Sequence, residues 1–175
     1  MSNLYGNSDK GSVTKYMFWI LILSLIPFPI FLYTYMNSPD SVILKFIADN
    51  AGAIPGMTSL GSPLLSKVMS SYCKLAPVFG LFFFMLSYGK LNLNMSFEKW
   101  KTFRVLVVFL IFYLAASYFL LFYNVELTES KRFLYVMSQS ELSMTVLYCL
   151  VFSVSYILTC YLFSFMYAAF MVFKK

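Results

Sequence analysis

Apolar residues in this chain gather into four runs free of Asp, Glu, Lys and Arg: Tyr16 to Met36, Leu75 to Gly89, Val105 to Val125 and Leu142 to Phe173. A helix rises about 1.5 Å per residue, so about 20 such residues cross the roughly 30 Å hydrocarbon core of a bilayer. The pattern predicts an all-α fold: an integral membrane four-helix bundle forming one polytopic domain, with spans at about 16–36, 68–88, 105–125 and 146–170. The second run holds only 15 residues and must start earlier, near Val68, which places Lys74 in the outer half of the membrane. There its long stem can snorkel to the headgroups, or its charge can serve an intramembrane pair or partner recognition. The fourth run, 32 residues, exceeds a perpendicular crossing and must tilt, kink or project.

Between the runs the chain is polar or broken. Residues Met1 to Thr14 read as a mobile tail. Pro27 and Pro29 each remove a backbone donor inside the first span and predict a kink there. Asn37 to Ser66 forms the longest exposed segment, with a short amphipathic run, Val42 to Ile47, suited to an interfacial helix, then turn residues Gly52, Pro55, Gly56, Gly61 and Pro63. Lys90 to Arg104 is a basic loop, and a polar turn joins spans three and four.

Charge decides the orientation. The two termini and the Lys90 to Arg104 loop hold eight Lys and Arg against two acids, a balance equal to the net charge of +6 of the whole chain. The opposite side carries five cations against five acids, so the positive-inside rule predicts cytoplasmic termini and a signal anchor that is not cleaved. Hydrophobic residues make up 61% and charged residues 11%, which leaves no room for a soluble domain. The cytoplasmic cations are scattered along helix ends, which speaks against nucleic acid and for anionic lipid.

Catalytic chemistry is scarce. Histidine is absent, and Cys73, Cys149 and Cys160 form no CxxC. Cys149 and Cys160, 11 residues apart on one helix, stand about 16 Å apart and cannot form a disulfide with each other. No phosphate loop or metal-ligand spacing occurs, so no cofactor and no enzymatic activity are expected. Two stripes of small residues predict close helix packing: Cys73, Ala76, Gly80 and Ser87, and Cys149, Ser153, Cys160, Ser164 and Ala168, the latter joined by Tyr156. The two halves do not repeat, which weakens a transporter reading.

Two strings are specific: Ser62-Pro63-Leu64-Leu65-Ser66-Lys67-Val68-Met69-Ser70-Ser71-Tyr72-Cys73-Lys74-Leu75-Ala76-Pro77 and Phe122-Tyr123-Asn124-Val125-Glu126-Leu127-Thr128. With Ile26-Pro27 and Ile54-Pro55-Gly56-Met57-Thr58-Ser59, in the same order, the chain resembles immunity proteins of pore-forming colicins, in the branch protecting against colicins A, B and N. The resemblance covers roughly residues 15 to 175. It implies a plasmid-borne, multi-pass protein of the bacterial inner membrane that binds the pore-forming domain of its cognate colicin in the bilayer before the channel opens. Where the family often continues Thr-Ala-Gly after Leu-Thr, this chain has Glu129-Ser130-Lys131-Arg132, a departure bearing on which colicin is recognised.

Partner-binding candidates are Tyr72, Lys74 and Pro77 at the second span and Asn124, Glu126 and Thr128 at the end of the third. Lys74 and Glu126 have opposite charge near the outer interface and either pair with each other or meet charges of the toxin. The alternatives are an accessory subunit of a transporter or channel complex and, more remotely, a redox relay through Cys149 and Cys160. Whether the chain forms a homo-oligomer is left open.

Overall fold

Proline placement divides two of the four long helices. The computed structural model describes residues 5–51, 56–88, 99–129 and 132–174, except the side chains of 5–12 and 132–133. Helices α1 (Tyr5–Leu25) and α2 (Pro27–Asn37) form the first long apolar unit, broken at Ile26 where Pro27 opens α2. Pro27 cannot donate to Leu23, whose carbonyl instead takes the Ile26 N–H at 3.4 Å. The expected kink is thus a break. The expected mobile tail is corrected from Tyr5 onward, because α1 already includes that stretch; extending an existing helix costs far less than nucleating one. Met1 to Leu4 lie outside the described residues.

The second unit is α4 (Pro63–Cys73) and α5 (Ala76–Ser87), which part at Lys74 and Leu75. Pro77 stands in the first turn of α5, where a missing N–H is tolerated. Around it Lys74 N–H donates to Ser71 at 3.2 Å and Leu75 N–H to Tyr72 at 2.9 Å, so the turn tightens to i+3 bonding. The third unit is α6 (Lys99–Ser117), which runs into a π-helical turn, Tyr118–Phe122, and ends three residues short of the predicted Val125. The fourth, α8 (Glu141–Lys174), is continuous over 34 residues, about 51 Å long. All four units are long and apolar enough to cross a membrane. Of the Lys90 to Arg104 loop, residues 90–98 lie outside the described residues.

Helix α8 is the central post, packed by α1, α2, α4, α5, α6 and α7 (Arg132–Ser138). A cluster of rings fills the junction of both breaks. Tyr72 stacks on Phe152 with centroids 5.4 Å apart and 9° between planes, and Phe28 meets both edge-on at 5.2 and 5.7 Å. The Tyr72 hydroxyl donates to the Ser24 carbonyl at 2.8 Å, in the turn that the α1–α2 break loosens. Tyr156 donates likewise to Met17 at 3.1 Å, so interhelical bonds replace what water would supply.

The first small-residue stripe is buried as a whole, and at Gly80 it requires glycine: a Cβ there would stand 2.7 Å from Cβ and Cγ2 of Thr159. On α8, Cys160 and Ala168 are buried but Cys149, Ser153 and Ser164 are half-buried. The buried seam runs instead through Tyr148, Phe152, Ser155 and Thr159, since ring packing at the breaks turns that face inward. Helix α6 has no buried residue over Lys99–Ser117 and leans on α8.

The outer layer begins with α3 (Val42–Asn50), whose Leu44 and Ala48 bury against Val68 of α4 while Val42, Ile43 and Phe46 stay exposed. Lys45 pairs with Asp40 at 2.8 Å. Two short strands, β1 (Met57–Thr58) and β2 (Val125–Glu126), pair in parallel with Met57 opposite Val125, an addition to the helical frame. The turn expected between spans three and four contains α7, because Leu134 and Met137 have a core to pack against.

Candidate functional site

The six candidates fall into two groups joined by the β1 loop. In the first, Glu126 is a hub. One carboxylate oxygen accepts the Thr58 hydroxyl at 3.1 Å; the other accepts the Leu60 N–H at 2.9 Å and the Thr128 hydroxyl at 3.1 Å. The Leu60 N–H also reaches the Thr128 hydroxyl at 3.2 Å, and Ser59 and Thr128 hydroxyls share a 3.5 Å bond. Between Glu126 and Thr128, Leu127 is fully buried and its N–H donates to the Thr58 carbonyl at 2.8 Å. The string that leaves the third span therefore closes over the loop that enters the second. Asn124 is exposed beside this knot.

Tyr72, Lys74 and Pro77 gather at the α4–α5 break. Tyr72 belongs to the ring cluster, Pro77 shapes the turn, and Lys74 is the C-cap of α4, where an ammonium suits the negative end of the helix dipole. Its ammonium faces Gly56: a Cβ built there would stand 3.4 Å from Lys74 Nζ. Thr58 stands between the two groups, bonded to Glu126 and lining one recess with Lys74. The Tyr148 hydroxyl donates to the Met57 carbonyl at 2.8 Å, and the Cys73 thiol to the Tyr148 carbonyl at 3.4 Å, which fastens the loop to α8 and α8 to α4.

Sequence reasoning missed Thr58, Ser59, Leu60 and Ser66 as parts of this assembly. Ser66 accepts the Ser59 N–H at 3.0 Å and donates to Pro63 at 3.1 Å, rounding the loop into α4. A signal was available: Met57-Thr58-Ser59 and Asn124 to Thr128 are both among the strings that carry the resemblance. Their pairing across 68 positions of sequence was not legible. Of the charged turn that departs from the family pattern, Ser130 and Lys131 lie outside the described residues.

The architecture of four long apolar helices with a hydrogen-bonded loop knot offers surfaces for binding, and among the described residues no group of His, Cys, Asp and Glu could hold a metal ion. Residues 40–175 match the family model described as colicin immunity protein. The chain belongs to that family. Two colicin immunity proteins resemble it over most of their length. The colicin-B immunity protein of Escherichia coli is 28% identical over 147 residues, which is 83% of this chain and 84% of the relative. The colicin-A immunity protein of Citrobacter freundii is 27% identical over 153 residues, 87% of this chain and 86% of the relative. No solved structure matches the chain.

Proposed function

We propose that this chain confers bacteriocin immunity from the bacterial inner membrane, with both termini cytoplasmic, by binding the pore-forming domain of its cognate colicin and preventing channel opening. The observation that carries the reading is the family match over residues 40–175. The structure supports it physically. A partner that arrives as membrane-inserted helices is met by packing surfaces and interhelical hydrogen bonds, and α6 presents such a surface along its full length. Binding needs no cofactor.

Within that reading the six candidates divide by role. Lys74 and Asn124 meet the toxin at the outer side; Tyr72, Pro77, Glu126 and Thr128 hold the surface in shape. The Glu129 to Arg132 stretch, which follows the knot in sequence, selects among colicins.

The test is survival of sensitive Escherichia coli that express only this chain, challenged with purified pore-forming colicins and a nuclease colicin as control. Protection against one or two pore-formers but not the nuclease supports the proposal. A chain present in the membrane that protects against none overturns it.

A further inference from the structure

Three helices meet at one layer of small residues. Down α5 and α8 the contacts keep a fixed register: Gly80 lies against Thr159, the Phe84 ring against Phe163 at 5.6 Å and Tyr88 against Tyr167 at 4.8 Å, each partner 79 positions further on. Helix α6 runs the other way, with Tyr113 sharing a 3.2 Å hydrogen bond with Thr159, Phe109 on Phe165 at 5.1 Å and Phe103 on Phe173 at 6.4 Å. One turn from Thr159, this register brings Ala76 of α5 and Ser117 of α6 to the level of Ser155. Ala76 and Ser155 are buried and Ser117 is half-buried.

The hydroxyls of this layer are unpaired. Thr145, Ser153, Thr159 and Ser164 of α8 each donate to the carbonyl four residues back, at 2.7 or 2.8 Å, the usual resort of a hydroxyl in an apolar helix. Ser155, only 2% exposed, does not, and its Oγ has no hydrogen-bond partner. The Ser117 hydroxyl likewise makes no hydrogen bond among the described residues, although it lies on the face of α6 that Tyr113 turns to α8. Alanine at either place would fill nearly the same space without stripping a hydroxyl of its water, so the packing of the single chain accounts for neither side chain.

Depth limits what pairs with them. Ser117 lies 12 residues beyond Val105 and 8 before Val125 in an uncharged run, about 18 Å and about 12 Å along a helix. Lipid headgroup oxygens do not reach that level, and a polypeptide that does must keep its own backbone bonded as a helix. Helix α6 is the element that yields to it, because it buries no residue over Lys99–Ser117 and turns π-helical directly after Ser117. Resting on the immunity reading above, we infer that an apolar helix of the bound colicin packs into the α6–α8 seam and presents an oxygen, a carbonyl or a hydroxyl, to which Ser117 and Ser155 both donate. Two donors fixed at one depth set the register of the toxin helix, which makes an otherwise apolar contact specific.

The experiment uses the full chain in living cells, with membrane level and thermal unfolding in detergent measured beside survival. Ser117→Ala and Ser155→Ala are each expected to lower the tolerated concentration of the cognate colicin about threefold, and together about tenfold, the scale of one and two interhelical hydrogen bonds. The unfolding temperature should stay unchanged or rise, because neither hydroxyl gives up a bond within the chain. Ser117→Cys is then exposed to colicins that carry single cysteines along the helices of the pore-forming domain. Disulfides are expected at toxin positions three or four apart on one helix, and not with the unmodified chain. Full protection by the double Ala variant overturns the inference. So does a loss of protection that follows a loss of stability, which would make the layer structural. Disulfides between two copies of this chain and none to the toxin overturn it as well, assigning the seam to self-association. Failure of the unmodified chain to protect at all strikes the proposed function instead, so the two readings fail separately.

Discussion

The Glu126 carboxylate accepts the backbone N–H of Leu60 at 2.9 Å, across 66 positions of sequence. One side chain thereby ties the end of the third span to the loop before the second. Together with Thr58 and Thr128 it makes a knot in which three of the bonds converge on this one carboxylate. Glu126→Ala is expected to cost about 1–3 kcal/mol, because the Thr58 hydroxyl loses its acceptor and the Leu60 N–H keeps only its longer bond to the Thr128 hydroxyl. Glu126→Gln keeps one oxygen and should cost less. Thermal unfolding in detergent separates the two variants, and equal stability of Glu126→Ala and the unmodified chain would count against the knot.

Tyr72 makes two separable contributions. Tyr72→Phe preserves the stack on Phe152 and removes only the 2.8 Å bond to Ser24, an expected loss of about 1 kcal/mol. Tyr72→Ala removes the ring from a cluster with Phe28, Phe79 and Phe152 and should cost about 3–5 kcal/mol. If the proposed shaping role is right, protection in cells follows stability in both variants.

Gly80 allows α5 to lie directly on α8. Gly80→Ala places a methyl where Thr159 already stands, and overpacking of this kind costs about 1–3 kcal/mol. Combining it with Thr159→Ser, which removes the clashing Cγ2, should recover part of the loss. No recovery would mean that the strain is not at this contact.

The Asp40 carboxylate is held below its ordinary pKa, first by a hydrogen bond from Lys45 and then by the charge of that ammonium. A depressed folded pKa stabilises the segment above the unfolded value, about 3.9, and that gain disappears as pH falls through the folded value. Both side chains are solvent-exposed, so the effect is small and confined to the start of α3. Protection of the α3 amides, that is, exchange relative to its intrinsic rate at each pH, should fall in the unmodified chain as pH drops below about 4, and much less in Asp40→Asn.

Replacing Cys73, Cys149 and Cys160 together by serine tests the redox alternative. Cys73 and Cys160 are buried, and the Cys73 thiol is bonded to the Tyr148 carbonyl. Protection is expected to persist, with some stability lost at Cys73, where a smaller hydroxyl replaces a packed sulfur. Loss of protection with stability intact would revive the relay.

Sequence alone determined the elements that depend on solvent and on local backbone chemistry. Four uncharged runs demand burial in lipid wherever they sit, because apolar side chains and unpaired peptide groups have few other solutions. Pro27 breaks α1 from α2 for a reason internal to the residue. Gly80 and its stripe were legible because small residues at helical spacing mark close approach. What the tertiary structure decided are relationships between remote segments. The parallel pairing of Met57–Thr58 with Val125–Glu126 leaves no periodicity in either strand, being two residues long, and exists because the ends of the second and third helical units meet there. Tyr148, Phe152, Ser155 and Thr159 form the buried face of α8 because the rings at two helix breaks require that side, a choice that a uniformly apolar helix cannot announce. Gly56 stands 18 positions before Lys74 in the chain, and only folding the loop over α4 brings the two together and makes a recess. Partition into lipid is a property of segments, whereas a site is a property of distances between them.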